Sequence, residues 1–212
     1  MAPRRRVLLI SVHPLYNIGQ PWFHEKYAAF HAALRSKAYL QSAQQPASAL
    51  RLLAQQPPPI AVFVTDTGLA LPENAHVWQA VLWYIRRGGT AVVMGLFPIF
   101  AHPYQIRAFF AVAGLDWAAA SFGESTVVLY RAAVGPALAL RLAPGYRHTG
   151  LSVRGFAPAD AWYLHMPHEG EGLRAESPVV LVRVENGRLG YLGDVNAGPE
   201  SVAVMLAMCG LL

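Results

Sequence analysis

Short apolar runs alternate with longer amphipathic stretches in the first half of the chain. Residues 7–12 (VLLISV), 60–64 (IAVFV) and 90–95 (TAVVMG) contain no charged side chain, which is typical of strands buried on both faces of a parallel sheet. Residues 22–37 (WFHEKYAAFHAALRSK) instead repeat large apolar side chains at helical spacing. This spacing predicts a helix with one face on that sheet.

The alternation continues through residue 115. The pattern predicts a short strand at 38–43 (AYLQSA) and a short helix at 47–55 (ASALRLLAQ). A further helix at 76–89 ends in two arginines and two glycines, a common stop signal, and another spans 103–115. Strands and helices that alternate with short connections predict an α/β fold, with a doubly wound, mostly parallel sheet flanked by helices.

From residue 117 onward, short strand-like segments separated by Gly and Pro replace this pattern. They are residues 125–131, 137–143, 161–166, 178–184 and 188–194. The last two are joined through Asn186-Gly187, a pair that favours the φ > 0 turn of a hairpin. We therefore expect antiparallel strands in the C-terminal half. Residues 201–212 (SVAVMLAMCGLL) have almost no polar face, which predicts a helix buried against the sheet or a partner chain.

The composition is that of a packed globular protein. Hydrophobic residues make up 54% and charged ones 14% of the chain, a balance that excludes a disordered tail or a coiled coil. A length of 212 residues fits one domain, which we expect to span 1–212. No apolar run approaches the roughly 20 residues needed to cross a bilayer, and the first run is too short for a signal peptide. We therefore expect a cytoplasmic protein that makes no membrane contact.

The charge is basic but not clustered. The formal net charge is +5 and the pI is about 9.6, which raises the question of nucleic-acid binding. The 17 basic residues are all arginines except Lys26 and Lys37, and apart from residues 4–6 they are scattered along the chain. A nucleic-acid interface gathers its basic residues on one face. The sequence therefore predicts no nucleic-acid partner.

Polar side chains follow several of the predicted strands. His13 ends the first strand, Asp66 follows the strand at 60–64, and Asp194 and Asn196 follow the last one. In open α/β sheets, ligands bind outside the carboxyl ends of the strands, so these residues could share one pocket. His13, Asp66 and Asp194 are then the candidate catalytic residues, as an acid, a base and an orienting group.

Each of these residues also has a purely structural interpretation. His13 precedes a proline and fits a turn, and Asp66 lies in a Thr-Asp-Thr-Gly stretch that fits a turn or a helix cap. Asp194 and Asn196 come just before an apolar helix, where Asp and Asn act as caps. Tyr16 and Asn17 lie in a predicted loop that is long for a strand-to-helix connection, and long loops at this edge often bind ligands.

The order of these elements resembles the class I glutamine amidotransferase-like fold, of flavodoxin-like architecture, in particular its ThuA-like branch. In catalytic members a Cys nucleophile stands at a sharp strand-to-helix turn, and a His follows the late hairpin strand. Here the corresponding stretches read VMGLFP at 93–98 and GYLGD at 190–194, with no thiol, no hydroxyl nucleophile at the turn and no His. Because glutamine hydrolysis needs an activated nucleophile, amidotransferase activity is not expected. Cys209, in the apolar C-terminal segment, is expected to be a core side chain.

Three functions are consistent with this resemblance. The leading hypothesis is a protein that binds a small polar metabolite or sugar at the carboxyl edge of the sheet, through Tyr16, Asn17, Gly95, Phe97 and Asn196. The second is a hydrolase or lyase that uses Asp and His in place of Cys and His, so the sequence leaves open whether the protein is an enzyme. The third is a structural or regulatory subunit, for which a pocket filled by the protein's own side chains is the distinguishing feature.

No cofactor or metal is expected. His165 and His168, in the stretch HMPH, form a strand-end pair that is interrupted by a Pro, and they lack the spacing of metal ligands. Members of the superfamily commonly pair, and the apolar C-terminal helix has a face to cover, so we expect a homodimer.

Overall fold

A ten-stranded mixed sheet forms the centre of the computed structural model, which describes residues 5–14, 16–166 and 175–212, with the backbone alone at 16–20. The strands are β1 (Arg6–Ile10), β2 (Tyr39–Ala43), β3 (Ala61–Val64), β4 (Thr90–Val93), β5 (Ala118–Leu129), β6 (Gly145–Arg154), β7 (Ala161–His165), β8 (Glu176–Ser177), β9 (Val179–Val184) and β10 (Gly187–Leu192). The helices are α1 (Tyr16–Lys26), α2 (Ala28–Lys37), α3 (Pro46–Leu53), α4 (Ala75–Arg86), α5 (Phe97–Phe100), α6 (Pro103–Ala111), α7 (Arg131–Val134), α8 (Pro136–Ala139) and α9 (Pro199–Met208). Their order along the chain is that of an α/β protein.

The sheet has a parallel half and an antiparallel half. Its strand order is β2-β1-β3-β4-β10-β9-β7-β5-β6-β8. Strands β1 to β4 and β10 pair in parallel, and every pair beyond β10 is antiparallel. The predicted fold class is therefore confirmed.

Helices cover both faces of the parallel half. Alternate side chains of β1 point to opposite faces, so Leu8 and Ile10 join one buried cluster and Val7 and Leu9 the other. Side chains of α3, α4 and α6 complete the first cluster, and those of α2 and α9 belong to the second. Helix α9 is buried along most of its length, as its lack of a polar face predicted.

The first predicted helix differs from the structure at its start. Helix α1 begins at Tyr16, although the sequence placed residues 13–21 in a long loop, and Pro21 lies inside it. The chain then bends at Tyr27 into α2. The four residues of the predicted apolar stripe are all fully buried: Phe23, Tyr27, Phe30 and Leu34. The connection that was interpreted as a long binding loop is thus mainly helical.

The C-terminal half differs from the prediction in two places. Residues 137–143 were expected to form a strand, but Pro136 begins the short helix α8 after Gly135, whose φ is +84°. Strand β6, ten residues long, was not predicted. Its side chains do not alternate cleanly between apolar and polar, and this alternation is the signal by which a half-buried strand is recognised.

The predicted hairpin of β9 and β10 is confirmed, but its glycine acts differently from the expectation. The residue with positive φ is Glu185, at 51°. Gly187 is required instead for close packing, because a Cβ there would lie 2.0 Å from the carbonyl oxygen of Ile85 and 2.3 Å from that of Gly89. The end of α4 therefore contacts the backbone of the hairpin directly.

Strand β6 also pairs with the segment that follows β10. Leu151 N–H donates to the Gly193 carbonyl (3.2 Å), Val195 N–H donates to the Thr149 carbonyl (2.9 Å), and Gly150 forms an isolated bridge with Asp194. This second pairing brings the antiparallel half back to the carboxyl end of β10. Among the described residues, no helix is both long and apolar enough to span a bilayer.

Candidate functional site

Four parallel strands end side by side at one edge of the sheet. Their order is β1-β3-β4-β10, and they are followed along the chain by His13, Asp66, Gly95 and Asp194. Neighbouring strands lie about 4.8 Å apart. The fold therefore brings these four sequence-predicted positions to a common carboxyl edge, which is the candidate site.

Asp66 holds two loops of this edge together. Its Oδ1 accepts from Gly68 N–H (2.8 Å), which caps a short 3-10 helix, and its Oδ2 accepts from His13 N–H (3.1 Å). The side chain is 3% exposed. Burial raises the pKa of this carboxyl, and the hydrogen bonds from the backbone amides oppose the increase. Both carboxylate oxygens thus accept hydrogen bonds from the protein's own backbone.

Asp194 is engaged in the same way at the end of β10. Its Oδ1 accepts from the amides of Asn196 (3.2 Å) and Thr149 (3.4 Å), and its Oδ2 accepts from the Ser201 hydroxyl. Burial again raises the pKa of the carboxyl, and the bond from Ser201 is the largest opposing effect. Asp194 therefore links β6, the turn after β10 and the first turn of α9.

The side chain of Tyr27 connects the segments that follow β4 and β10. The Tyr27 hydroxyl donates to the backbone carbonyl of Asp194 (3.0 Å), and the backbone of Gly95 hydrogen-bonds to the same hydroxyl. Gly95 has φ +74°, and a Cβ there would lie 2.8 Å from both the Phe23 ring and the Thr65 carbonyl. Phe23 stacks on Tyr27 with ring centroids 4.6 Å apart. Aromatic side chains of this protein therefore fill the space beside the turn.

The other predicted binding residues occupy different environments. Phe97 is fully buried and packs on Phe109, with ring centroids 5.0 Å apart. Asn196 is exposed, and His13 is half-buried. Tyr16 and Asn17 lie in the first turn of α1, where the backbone is described and the side chains lie outside the described residues. The edge therefore presents Asn196 and His13 toward its outer surface.

A cluster of serine and histidine side chains lies on β5, β6 and β7, and the sequence did not reveal it. The Ser125 hydroxyl lies 3.0 Å from His148 Nε2 and 2.9 Å from His165 Nδ1. Ser152 Oγ lies 2.7 Å from His165 Nε2. The other ring nitrogen of His148 is buried without a hydrogen-bond partner among the described residues. His148 and Ser152 are four residues apart on β6, and residues at even spacing on a strand share one face. Recognising β6 in the sequence would therefore have placed them together.

This cluster is suited to holding strands together rather than to catalysis. Burial, and to a smaller extent His165, lower the pKa of His148 from 6.5 to about 4. An imidazole with such a pKa is neutral near pH 7 and is a weak base for activating a hydroxyl. His168, considered above with His165, lies outside the described residues. No group of three or more His, Cys, Asp or Glu side chains in the described part of the chain is arranged to hold a metal ion.

Cys209 is half-buried at the end of α9. Burial raises the pKa of its thiol well above the usual range, which disfavours the reactive thiolate.

The bridging role of Tyr27 leads to a stability prediction. Tyr27→Phe is expected to lower the free energy of unfolding by about 1–3 kcal/mol, because the Asp194 carbonyl and the Gly95 amide lose their buried partner. Urea unfolding measures the change. Tyr104→Phe is the matched control, because Tyr104 is 72% exposed and its change should stay within about 0.5 kcal/mol. Equal effects of the two substitutions would show that the bridge does not stabilise the edge.

Comparisons with known proteins identify the fold. No protein-family model matches the sequence, and no curated protein matches it. Among solved structures, a ThuA-like protein from Bacteroides uniformis superimposes with a TM-score of 0.65 at 12% identity, over 98% of this chain and 90% of its own. A cytoplasmic protein from Salmonella typhimurium gives 0.58 at 10% identity, over 97% and 96% of the two chains.

Part of a much larger enzyme has the same fold. A β-galactosidase from Bacillus circulans matches with a TM-score of 0.60 at 11% identity, over 97% of this chain and 30% of its own. The structure therefore has the same fold as the ThuA-like protein, and the predicted ThuA-like fold is confirmed. At identities this low the superpositions establish the fold alone, and the function has to be argued from the site.

Proposed function

We propose that this chain is a ThuA-like fold member that binds a small polar molecule, a sugar or a comparable metabolite, at the carboxyl edge of its sheet. The observation that supports the proposal is that the two buried carboxylates accept hydrogen bonds from the backbone of the loops at this edge. Asp66 and Asp194 hold backbone amides from neighbouring loops and so fix the backbone of the rim. A rim fixed in this way is preorganised for binding, which lowers the entropic cost of ordering it.

The same geometry argues against chemistry at the turn after β4. Tyr27 occupies the space between Gly95 and the Asp194 backbone, and no thiol or hydroxyl nucleophile occurs at 93–98. The proposal accordingly assigns no catalytic role to His13, Asp66 or Asp194 and places the ligand outside the filled space, near Asn196 and His13. The cytoplasmic location and the homodimer stay predictions.

The names of two structural neighbours suggest which ligands to test first. The fold occurs in a ThuA-like protein and in about a third of the length of a β-galactosidase. Sugars and sugar acids are therefore the first candidates. A shared fold is a weak warrant for a shared ligand, so the test includes other polar metabolites.

A structural or regulatory subunit is the second candidate function. The observation in its favour is that Phe23 and Tyr27 are fully buried beside the turn after β4 and Phe97 is fully buried in the core next to it. In that case the fold supplies an interaction surface, and no small molecule would stabilise the protein.

Thermal unfolding in the presence of sugars, sugar acids, nucleotides and amino acids tests the proposal. A ligand at about 100 times its Kd stabilises the folded state by about 2.7 kcal/mol, which raises Tm by several degrees. The increase in Tm should be smaller in Asn196→Ala, a variant that keeps the backbone N–H that donates to Asp194. Asn186→Ala, at an exposed turn on the opposite edge, should leave it unchanged. No increase with any compound would favour the subunit, and an increase that survives Asn196→Ala would place the ligand elsewhere.

A further inference from the structure

A concavity lies at the amino edge of the sheet, opposite the candidate site. It has a volume of about 700 Å³ and lies between α3 and α4, against the segment that leads into β3. Ile60 and Gly89, which directly precede β3 and β4, line its inner end. The pocket is therefore separated from the carboxyl edge by the length of the strands.

The lining of this pocket is mainly apolar and is held in place by internal contacts. Leu50, Leu53 and Ala80 form walls from the two helices. The Tyr84 hydroxyl donates to the Pro59 carbonyl (2.9 Å) and accepts from Thr90 N–H (3.2 Å). These bonds connect α4 to the segment that precedes β3 and to the first residue of β4. The cavity thus exists in the folded protein without a rearrangement.

The mouth of the pocket carries a guanidinium on an exposed indole. Arg87 lies 4.5 Å above the Trp83 ring, and Trp83 is 58% exposed. The neighbouring Arg86 pairs with Glu185 (3.1 Å), whereas no carboxylate of the described residues lies within 4.0 Å of the Arg87 side chain. An unpaired Arg beside apolar surface is suited to a carboxylate, which its planar fork binds with two hydrogen bonds.

We propose that this pocket binds a small carboxylic acid with an aromatic or aliphatic body. The body fills the apolar space between α3 and α4, and the carboxylate pairs with Arg87. Pockets of 300–1,000 Å³ with mostly apolar walls and few polar groups are the usual sites of small-molecule ligands. Arg87 is the one cation among the described residues that line the pocket, which favours one carboxylate over a polyphosphate, since a polyphosphate recruits several basic groups.

Fluorine NMR of protein labelled with 5-fluorotryptophan tests the site with 2-naphthoate as the probe. Trp83 is assigned by Trp83→Phe, and four tryptophans outside the pocket serve as internal references: Trp22, Trp78, Trp117 and Trp162. We expect 2-naphthoate at up to about 5 mM to shift the Trp83 resonance in a saturable way, with much smaller shifts of the other four. No shift of Trp83 would overturn the proposal.

Three variants separate specific binding from general charge attraction. Arg87→Gln should weaken 2-naphthoate binding by about tenfold, because it removes the charge-assisted hydrogen bonds. Arg86→Gln removes the same charge from the same turn outside the pocket and should leave the affinity unchanged. Ala80→Leu narrows the cavity between α3 and α4 with a larger side chain and should weaken binding. Equal losses in the two arginine variants, or full binding in Ala80→Leu, would contradict the assignment.

The uncharged analogue 2-naphthamide gives an independent check. It has the same ring system but no negative charge, so it should bind about tenfold more weakly than 2-naphthoate to the unmodified protein and should be insensitive to Arg87→Gln. If the amide binds as tightly as the acid, the pocket recognises only the apolar body and the role given to Arg87 is wrong.

Discussion

Gly193→Ala is expected to lower the free energy of unfolding by at least about 3 kcal/mol, because the space for a side chain is occupied by backbone. A Cβ at Gly193 would lie 1.8 Å from the Leu151 carbonyl oxygen. That oxygen accepts from the Tyr191 hydroxyl (2.9 Å), and Leu151 N–H donates to the Gly193 carbonyl. Relief of the clash therefore requires strand β6 to separate from the segment after β10.

Equilibrium unfolding in urea measures this effect, and Gly123→Ala is the matched control. Gly123 lies in β5, has no positive φ, and a Cβ there would meet nothing within 4 Å. Its substitution should change stability by no more than about 0.5 kcal/mol. If Gly193→Ala were as mild as this control, the pairing of β6 with residues 193–195 would not be the close contact that the structure shows.

The pairing of β6 with residues 193–195 could not be predicted from the sequence, in contrast to the strands of the parallel half. The apolar runs predicted β1, β3, β4 and the hairpin, since each of these elements is encoded by its own residues and by the turn beside it. The contact of Gly150 with Gly193 joins segments more than 40 residues apart. The residues next to such glycines in the sequence do not reveal why a glycine is needed, because the space for a side chain is taken by backbone from a distant segment.

The candidate site was predictable in its location but not in its chemistry. Strand ends in the sequence placed Asp66 and Asp194 at the carboxyl edge, as the topology rule requires. Their hydrogen-bond partners include His13, Thr149 and Ser201, and two of these lie on elements remote in sequence or unpredicted. A carboxylate that binds a ligand and one that binds its own backbone have the same sequence pattern, so only the partners distinguish them.

Two histidines that are buried in the neutral form are expected to destabilise the folded protein as the pH decreases from about 6.5 toward 4. Burial lowers the pKa of His31 and of His148 from 6.5 to about 4 in each case, with His24 and His165 as the next largest causes. Between these values the unfolded state binds protons that the folded state does not, so acid favours unfolding. For His148, which is 2% exposed, the full loss is up to about 3 kcal/mol.

The raised carboxyl pKa values act in the opposite direction. Asp66 and Asp194 take up protons in the folded state at a higher pH than in the unfolded state, so their contribution to stability increases as the pH falls through their folded pKa values. The total pH dependence is a difference between the two sets. A single substitution, which removes one group from one set, is therefore more informative than the pH profile of the unmodified protein.

His148→Gln should lower the slope of the free energy of unfolding against pH between 4 and 6.5, whatever its effect at pH 7. Urea unfolding at several pH values measures the slope, to which one histidine contributes at most about 1.4 kcal/mol per pH unit. His76→Gln is the control, because His76 is exposed on α4 and should leave the slope unchanged. Asp194→Asn should steepen the acid loss instead, since it removes an opposing contribution. A slope that His148→Gln does not alter would mean that His148 accepts a proton in the folded state, and the neutral serine and histidine cluster described above would be wrong.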